Sequence, residues 1–120
     1  MDVVGIGIDI LELKKVRKLL KGSTSESFLK KTFTAKERKY FEKQKDPIPH
    51  IATTFAAKEA IFKALGVGWQ EGKEIEIVRK SNGPKVVLKG KLKKTTHIRK
   101  ILLSLSYTSK LAVAVAVLLA

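Results

Sequence analysis

Apolar residues alternate along the first stretch of the chain: Val4, Ile6, Ile8 and Ile10 fall on one side, and Val3, Gly5, Gly7 and Asp9 on the other. That period of two predicts a strand over 3–9. The period then lengthens: Leu13, Val16 and Leu20 share one stripe, which predicts a helix over 10–21. "KGSTSES" reads as a loop. "TAKERKYFEKQ" opens on Thr34 with Glu37 three residues on, a capping-box pattern that predicts a second helix. "DPIP" breaks it. Residues 50–65 form a third helix, with "GVG" as its cap and turn. "KEIEIVRK" and "PKVVLKG" read as strands joined at "SNG", with a type I′ turn expected at Asn82 and Gly83. After the basic stretch "KLKKTTH" come two more strands, "KILLSLSY" and "KLAVAVAVLL", joined at "TSK". A strand, then helices, then strands predicts the α+β class: an antiparallel sheet packed with helices, in a single domain over 1–120.

The third helix is the most informative segment. In "TFAAKEAIFKALG", Phe55, Ile61, Phe62 and Leu65 fall in one broad arc, and Ala56, Ala57, Ala60 and Ala64 fill most of the remainder. A helix apolar or small nearly all round is a buried one. Lys58, Glu59 and Lys63 interrupt it, and Glu59 and Lys63 share a face. They read either as an ion pair on a narrow solvent stripe or as a carboxylate and an ammonium in a cleft that holds a metal and a phosphate. Asp9 has two readings as well. With Glu12 three residues on, it fits a helix N-cap; at the end of a strand bared by Gly5 and Gly7, it also fits a site into which a helix or ligand comes close. "GIGIDI" is not the dinucleotide fingerprint, because Ile10 stands in place of the third glycine and no βαβ unit follows.

Charge narrows the class of partner. Lys and Arg number 25 against 11 Asp and Glu, a net +14, which predicts an anionic partner. Hydrophobic residues make up 44%, enough for a core. The absence of cysteine excludes a disulfide framework and thiolate metal sites. No signal-peptide pattern is present, and the last apolar run, "LAVAVAVLLA", is half of the ~20 residues that span a bilayer. The expectation is a soluble, cytoplasmic protein.

Taken together these segments resemble the holo-[acyl-carrier-protein] synthases, the small phosphopantetheinyl transferases. "GIGIDILEL" resembles the family's Gly-x-Asp motif, "FTAKERKYFEKQ" its Phe-Thr-x-x-Glu signature, and "FAAKEAIFKALGVG" its Phe-x-x-Lys-Glu-Ala block. "NGPKVVL" is similar to its hairpin, and "LSLSYTSKLAVAVAV" to its Ser-x-Ser-His segment and final strand. The resemblance implies transfer of 4′-phosphopantetheine from coenzyme A to a serine of apo acyl carrier protein, with release of adenosine 3′,5′-bisphosphate. It implies Asp9 and Glu59 as ligands of an essential Mg²⁺, in keeping with that ion's preference for carboxylates, waters and substrate phosphates. Lys63 would reach the same phosphates. Lys58 would make a ligand or structural contact, and Asn82 and Gly83 would touch the adenosine end of coenzyme A. The family's arginine before the Phe-x-x-Lys-Glu block is Thr54 here, and its histidine after Ser-x-Ser is Tyr107. In the family both lie near the 3′-phosphate; Tyr107 and Thr108 retain only hydroxyl donors. Weaker discrimination between coenzyme A and its dephospho form is therefore expected.

The resemblance also gives the basic excess a use. Lys14, Lys15, Arg17, Lys18 and Lys21 surround the apolar stripe of the first helix, where the family receives the acidic carrier protein; a plain solvated basic face is the other reading. A homotrimer is implied too, and "LAVAVAVLL", apolar on both faces, suits a subunit interface. Two alternatives remain at this point: a small basic nucleic-acid-binding protein, with "KLKKTTHIRK" as its phosphate contact, and an inactive relative that binds coenzyme A.

Overall fold

The computed structural model describes all 120 residues. The elements run β1 (Val3–Glu12), α1 (Leu13–Leu20), α2 (Ser25–Thr32), α3 (Ala35–Glu42), α4 (Ile48–Ala64), β2 (Ile75–Lys80), β3 (Gly83–Leu88), α5 (Gly90–Thr95), β4 (Lys100–Tyr107) and β5 (Leu111–Leu119). The class is α+β as expected, but the strands form two antiparallel sheets: β1-β5-β4 and the hairpin β2-β3. No helix is long and apolar enough to cross a membrane.

Helix α4 organises the molecule. Of its seventeen residues only His50, Phe55, Glu59 and Lys63 escape full burial. Its C-terminal half packs Ala56, Ala60, Ile61 and Phe62 against β2 and the inner face of β5 (Ala114, Ala116, Leu118). Its N-terminal half packs Ile48, Ile51 and Ala52 against α1, α2 and α3 through Leu13, Val16, Phe33 and Phe41. The helix tolerates Pro47 and Pro49 because they lie at its first turn, where an N–H has no partner in any case. It ends in a Schellman motif. Gly66 takes φ 77°, its N–H bonds Lys63 O at 2.9 Å, and Val67 N–H bonds Phe62 O at 3.1 Å.

Strand β1 runs three residues further than its alternation predicts, pairing with β5 as far as Glu12–Leu111. The helix that follows therefore starts at Leu13, and Asp9 is no cap: it sits within the strand opposite Ala114. Gly5 and Gly7 face α4. A Cβ on Gly7 would collide with the Ala60 carbonyl and lie 2.8 Å from Ala64 N; one on Gly5 would strike the Ala64 carbonyl. The bare strand face admits the helix backbone itself. On the opposite face Val4, Ile6, Ile8 and Ile10 are 53–70% exposed, and Leu102 of β4 is 44% exposed.

Three further expectations change. Helix α2 occupies residues assigned in part to a loop, because its polar first turn, Ser25 and Glu26, masks the Phe28 and Leu29 pair that packs under α4. Helix α5 arises within the basic stretch, where Glu74 accepts the Lys91 and Leu92 N–H groups across space, a signal no local pattern carries. The β2-β3 turn is centred on Ser81 and Asn82, since Lys80 pairs with Gly83. No non-glycine residue has positive φ, whereas Gly83 has φ 110°, so the turn is not type I′.

Overpacking of this kind costs about 1–3 kcal/mol, so Gly7→Ala is expected to lower the urea midpoint clearly. Gly68→Ala, where a Cβ meets nothing within 4 Å, should leave it nearly unchanged.

Candidate active site

Asp9 and Glu59 come together where β1 crosses α4. Asp9 is held near the middle of the paired strand by its register with β5. Glu59 is next in sequence to Ala60, whose carbonyl Gly7 admits close to the strand. The two carboxylates lie close enough to influence one another. Burial, and after it the negative charge of Asp9, raises the Glu59 pKa above the ordinary carboxylate value, while Lys63 opposes the rise. Lys63 is half-exposed and does not pair with Glu59 as its spacing suggests. Its ammonium donates to Asp9 Oδ1 and to the Ile8 carbonyl, each at 3.0 Å. The result is a carboxylate pair with one ammonium at its edge.

That donor set fits Mg²⁺. The ion takes one or two carboxylates plus waters and phosphate oxygens in preference to an all-protein cage, and no group of three or more Asp, Glu, His or Cys is gathered anywhere in the chain. A carboxylate whose proton affinity a neighbouring carboxylate raises, as Asp9 does for Glu59, is one that a divalent cation relieves.

The structure removes Lys58 from the cofactor-binding set. Its side chain is fully buried on a different face of α4, and its ammonium donates to Glu37 Oε1 at 2.6 Å, Gly72 O at 2.8 Å and Thr32 O at 2.9 Å. All three ammonium protons are thereby used, and none is left for a ligand. Burial lowers the Lys58 pKa, and Glu37 opposes the fall. Glu37 is the residue the sequence reading missed in this role. Beyond its capping box with Thr34 (Glu37 N to Thr34 Oγ1 3.2 Å, Thr34 N to Glu37 Oε1 2.9 Å), it accepts Ile77 N–H at 2.7 Å.

The remaining candidates lie further out. Asn82 and Gly83 sit at the hairpin tip beside a groove of about 610 Å³ with Lys85, Lys93 and Lys100 on its walls. Thr108 closes the β4-β5 turn by accepting the Lys110 and Leu111 N–H groups, which explains its residue type without a ligand. Tyr107 is 51% exposed and meets the His50 ring edge-on at 6.1 Å. Lys14, Arg17 and Lys18 of α1 and Lys21 at its C-cap line one groove together with Lys110. Lys15 points elsewhere and lies 3.9 Å from Glu12.

Residues 5–116 match the model of the 4′-phosphopantetheinyl transferase superfamily. The chain belongs to this superfamily. A holo-[acyl-carrier-protein] synthase of Caldanaerobacter subterraneus is 42% identical, over 93% of this chain and 91% of that protein. Among solved structures, the holo-[acyl-carrier-protein] synthase of Neisseria meningitidis superposes with a TM-score of 0.90 at 29% identity, covering 99% of this chain and 100% of that one. The Bacillus anthracis synthase in complex with CoA (3′,5′-ADP) does so with a TM-score of 0.81 at 33% identity, covering 97% and 96%. Membership in a superfamily of transferases decides between the enzyme and the nucleic-acid-binding alternative, and the fold class and the family resemblance read from the sequence both hold.

The electrostatics of the carboxylate pair can be read directly. In a carboxyl NMR titration without divalent metal, Asp9→Asn is expected to lower the Glu59 pKa by removing the neighbouring negative charge. Lys63→Met is expected to raise it by removing the opposing positive one.

Proposed function

We propose that this phosphopantetheinyl transferase acts as a holo-[acyl-carrier-protein] synthase in the cytoplasm, with coenzyme A as donor and a serine of apo acyl carrier protein as acceptor. The observation that carries the reading is the Asp9–Glu59 pair with Lys63 at its edge, on a chain whose 42%-identical relative is a holo-[acyl-carrier-protein] synthase. The serine hydroxyl attacks the phosphorus that bears pantetheine and gives up its proton to water, the pyrophosphate P–O bond breaks, and adenosine 3′,5′-bisphosphate leaves. Asp9 and Glu59 would hold Mg²⁺, which when bound neutralises charge on the departing phosphate. Lys63 adds a mobile point charge to the same phosphates, and its bond to Asp9 keeps it parked until they arrive. The hairpin tip at Asn82 and Gly83 offers backbone and amide donors to the adenosine end.

The carrier docks on α1. Lys14, Arg17, Lys18 and Lys21 present four cations on one groove, and a basic face of this kind speeds encounter with an acidic partner and makes it salt-sensitive. The chain assembles as a homotrimer through the outer face of the β1-β5-β4 sheet. Val4, Ile6, Ile8 and Ile10 form a contiguous exposed apolar row there, and monomeric proteins rarely leave such patches open.

Incubation with apo acyl carrier protein, coenzyme A and Mg²⁺ is expected to add a phosphopantetheine mass to the carrier by mass spectrometry. Asp9→Ala, Glu59→Ala or a chelator should abolish the addition. An unmodified carrier with the wild-type protein would sink the reading. Light scattering should give a trimeric mass, and Ile8→Lys, placing a charge in the apolar row, should shift it towards the monomer.

A further inference from the structure

On another face of α4 stands a cation that the proposed reaction has not used. Thr54 and Glu59, five residues apart, project about 140° from each other around the helix. Arg79 of β2 reaches across to the Thr54 side. Its two terminal nitrogens each donate at 2.9 Å, Nη1 to Thr54 Oγ1 and Nη2 to Thr53 Oγ1. Those hydroxyls spend their own protons on α4 carbonyls, Thr54 on His50 O at 2.7 Å and Thr53 on Pro49 O at 2.9 Å. Their lone pairs are thus turned to the guanidinium, which can only donate. The guanidinium also lies 5.2 Å over the Tyr40 ring. Tyr40 OH is 3.4 Å from His50 Nδ1, so an imidazole completes the cluster.

No carboxylate pairs with Arg79. The two whose charges reach the cluster are already taken. Glu37 is bonded by Lys58, Thr34 N and Ile77 N; Asp46 is bonded by Arg17 and Ile48 N. Burial pushes the Arg79 guanidinium below its ordinary pKa, and burial followed by the charge of Arg79 does the same for His50. A guanidinium held by two threonines, with donors to spare and no carboxylate of its own, is built to receive an anion. Its place in the fold says which one. Arg79 is paired across the hairpin with Pro84, beside the tip at Asn82 and Gly83.

We propose that Arg79, with His50 beside it, receives the 3′-phosphate monoester of coenzyme A; this rests on the phosphopantetheinyl-transfer reading. The planar fork of arginine suits a phosphate monoester. Arg79 thereby supplies, from a different strand, the cation that Thr54 in place of arginine and Tyr107 in place of histidine removed. Discrimination against the dephospho form is retained, contrary to what those two positions alone suggest. Because the cluster and the carboxylate pair face different sides of α4, one coenzyme A that spans both takes the carboxylates of one copy and Arg79 of another.

The test compares kcat/KM for coenzyme A and dephospho-coenzyme A. Wild type is expected to favour coenzyme A, and Arg79→Gln to shrink that preference by about tenfold or more, as loss of charge-assisted bonds does. Arg79→Lys, which keeps the charge without the fork, should fall between. An unchanged ratio in Arg79→Gln, including an equal loss with both donors, overturns the assignment. Calorimetry without metal reads the same contact independently of transfer. Wild type should bind adenosine 3′,5′-bisphosphate more tightly than 5′-AMP, and Arg79→Gln should erase the difference; a preference that survives the substitution counts against Arg79. A wild-type protein that transfers from neither donor yet shows the calorimetric preference would sink the transfer reading and leave the anion site standing.

Discussion

The buried Lys58–Glu37 pair is the constraint on which the other contacts of α4 depend. Burying two charges is costly, and the attraction between them offsets that only when every remaining donor and acceptor is satisfied. Here they are. The ammonium closes the carbonyls of Thr32 and Gly72, and the carboxylate closes the N–H groups of Thr34 and Ile77. One ion pair therefore ties the end of α2, the start of α3, the approach to β2 and β2 itself to the middle of α4. Breaking such a pair from one side typically costs about 3–5 kcal/mol, because the other charge is left stranded. Lys58 also fixes the rotation of the helix. With Lys58 pinned towards α3, Glu59, about 100° further round, is turned to β1 and Asp9.

Depth is set by a second device. Two glycines on β1 remove the side chains that would hold α4 away from the strand, and the alanines of α4 keep its own surface low. The carboxylate pair thus comes from rotation fixed on one side of the helix and distance fixed on the other. Neither device contains a residue that touches substrate in the proposed reaction.

Much of this was legible in the sequence, for identifiable reasons. The capping box at Thr34 and Glu37 is a local pattern and forms as read. The all-round apolar character of α4 correctly marked it as buried. Pairing across space was not legible. Lys58 and Lys63 look alike on a helical wheel, yet one is sealed in the core and the other bonds a strand fifty-four residues away. Asp9, with Glu12 three residues on, reads locally as a cap, and only its pairing with Ala114 makes it a strand residue. Arg79 carries no motif at all; only the fold brings it to the threonines that hold it.

Because α4 is a wall of both apolar clusters, neither cluster can open without exposing it. Local fluctuations that fray the short outer helices leave its amides hydrogen-bonded, and those amides exchange with solvent only when the whole structure comes apart. Glu59 and Lys63 ride on that most persistent element. In the proposed reaction, the phosphate-facing side of the site therefore keeps its shape through docking and release, and adaptation to the incoming carrier falls to the loops and the lysine side chains around it.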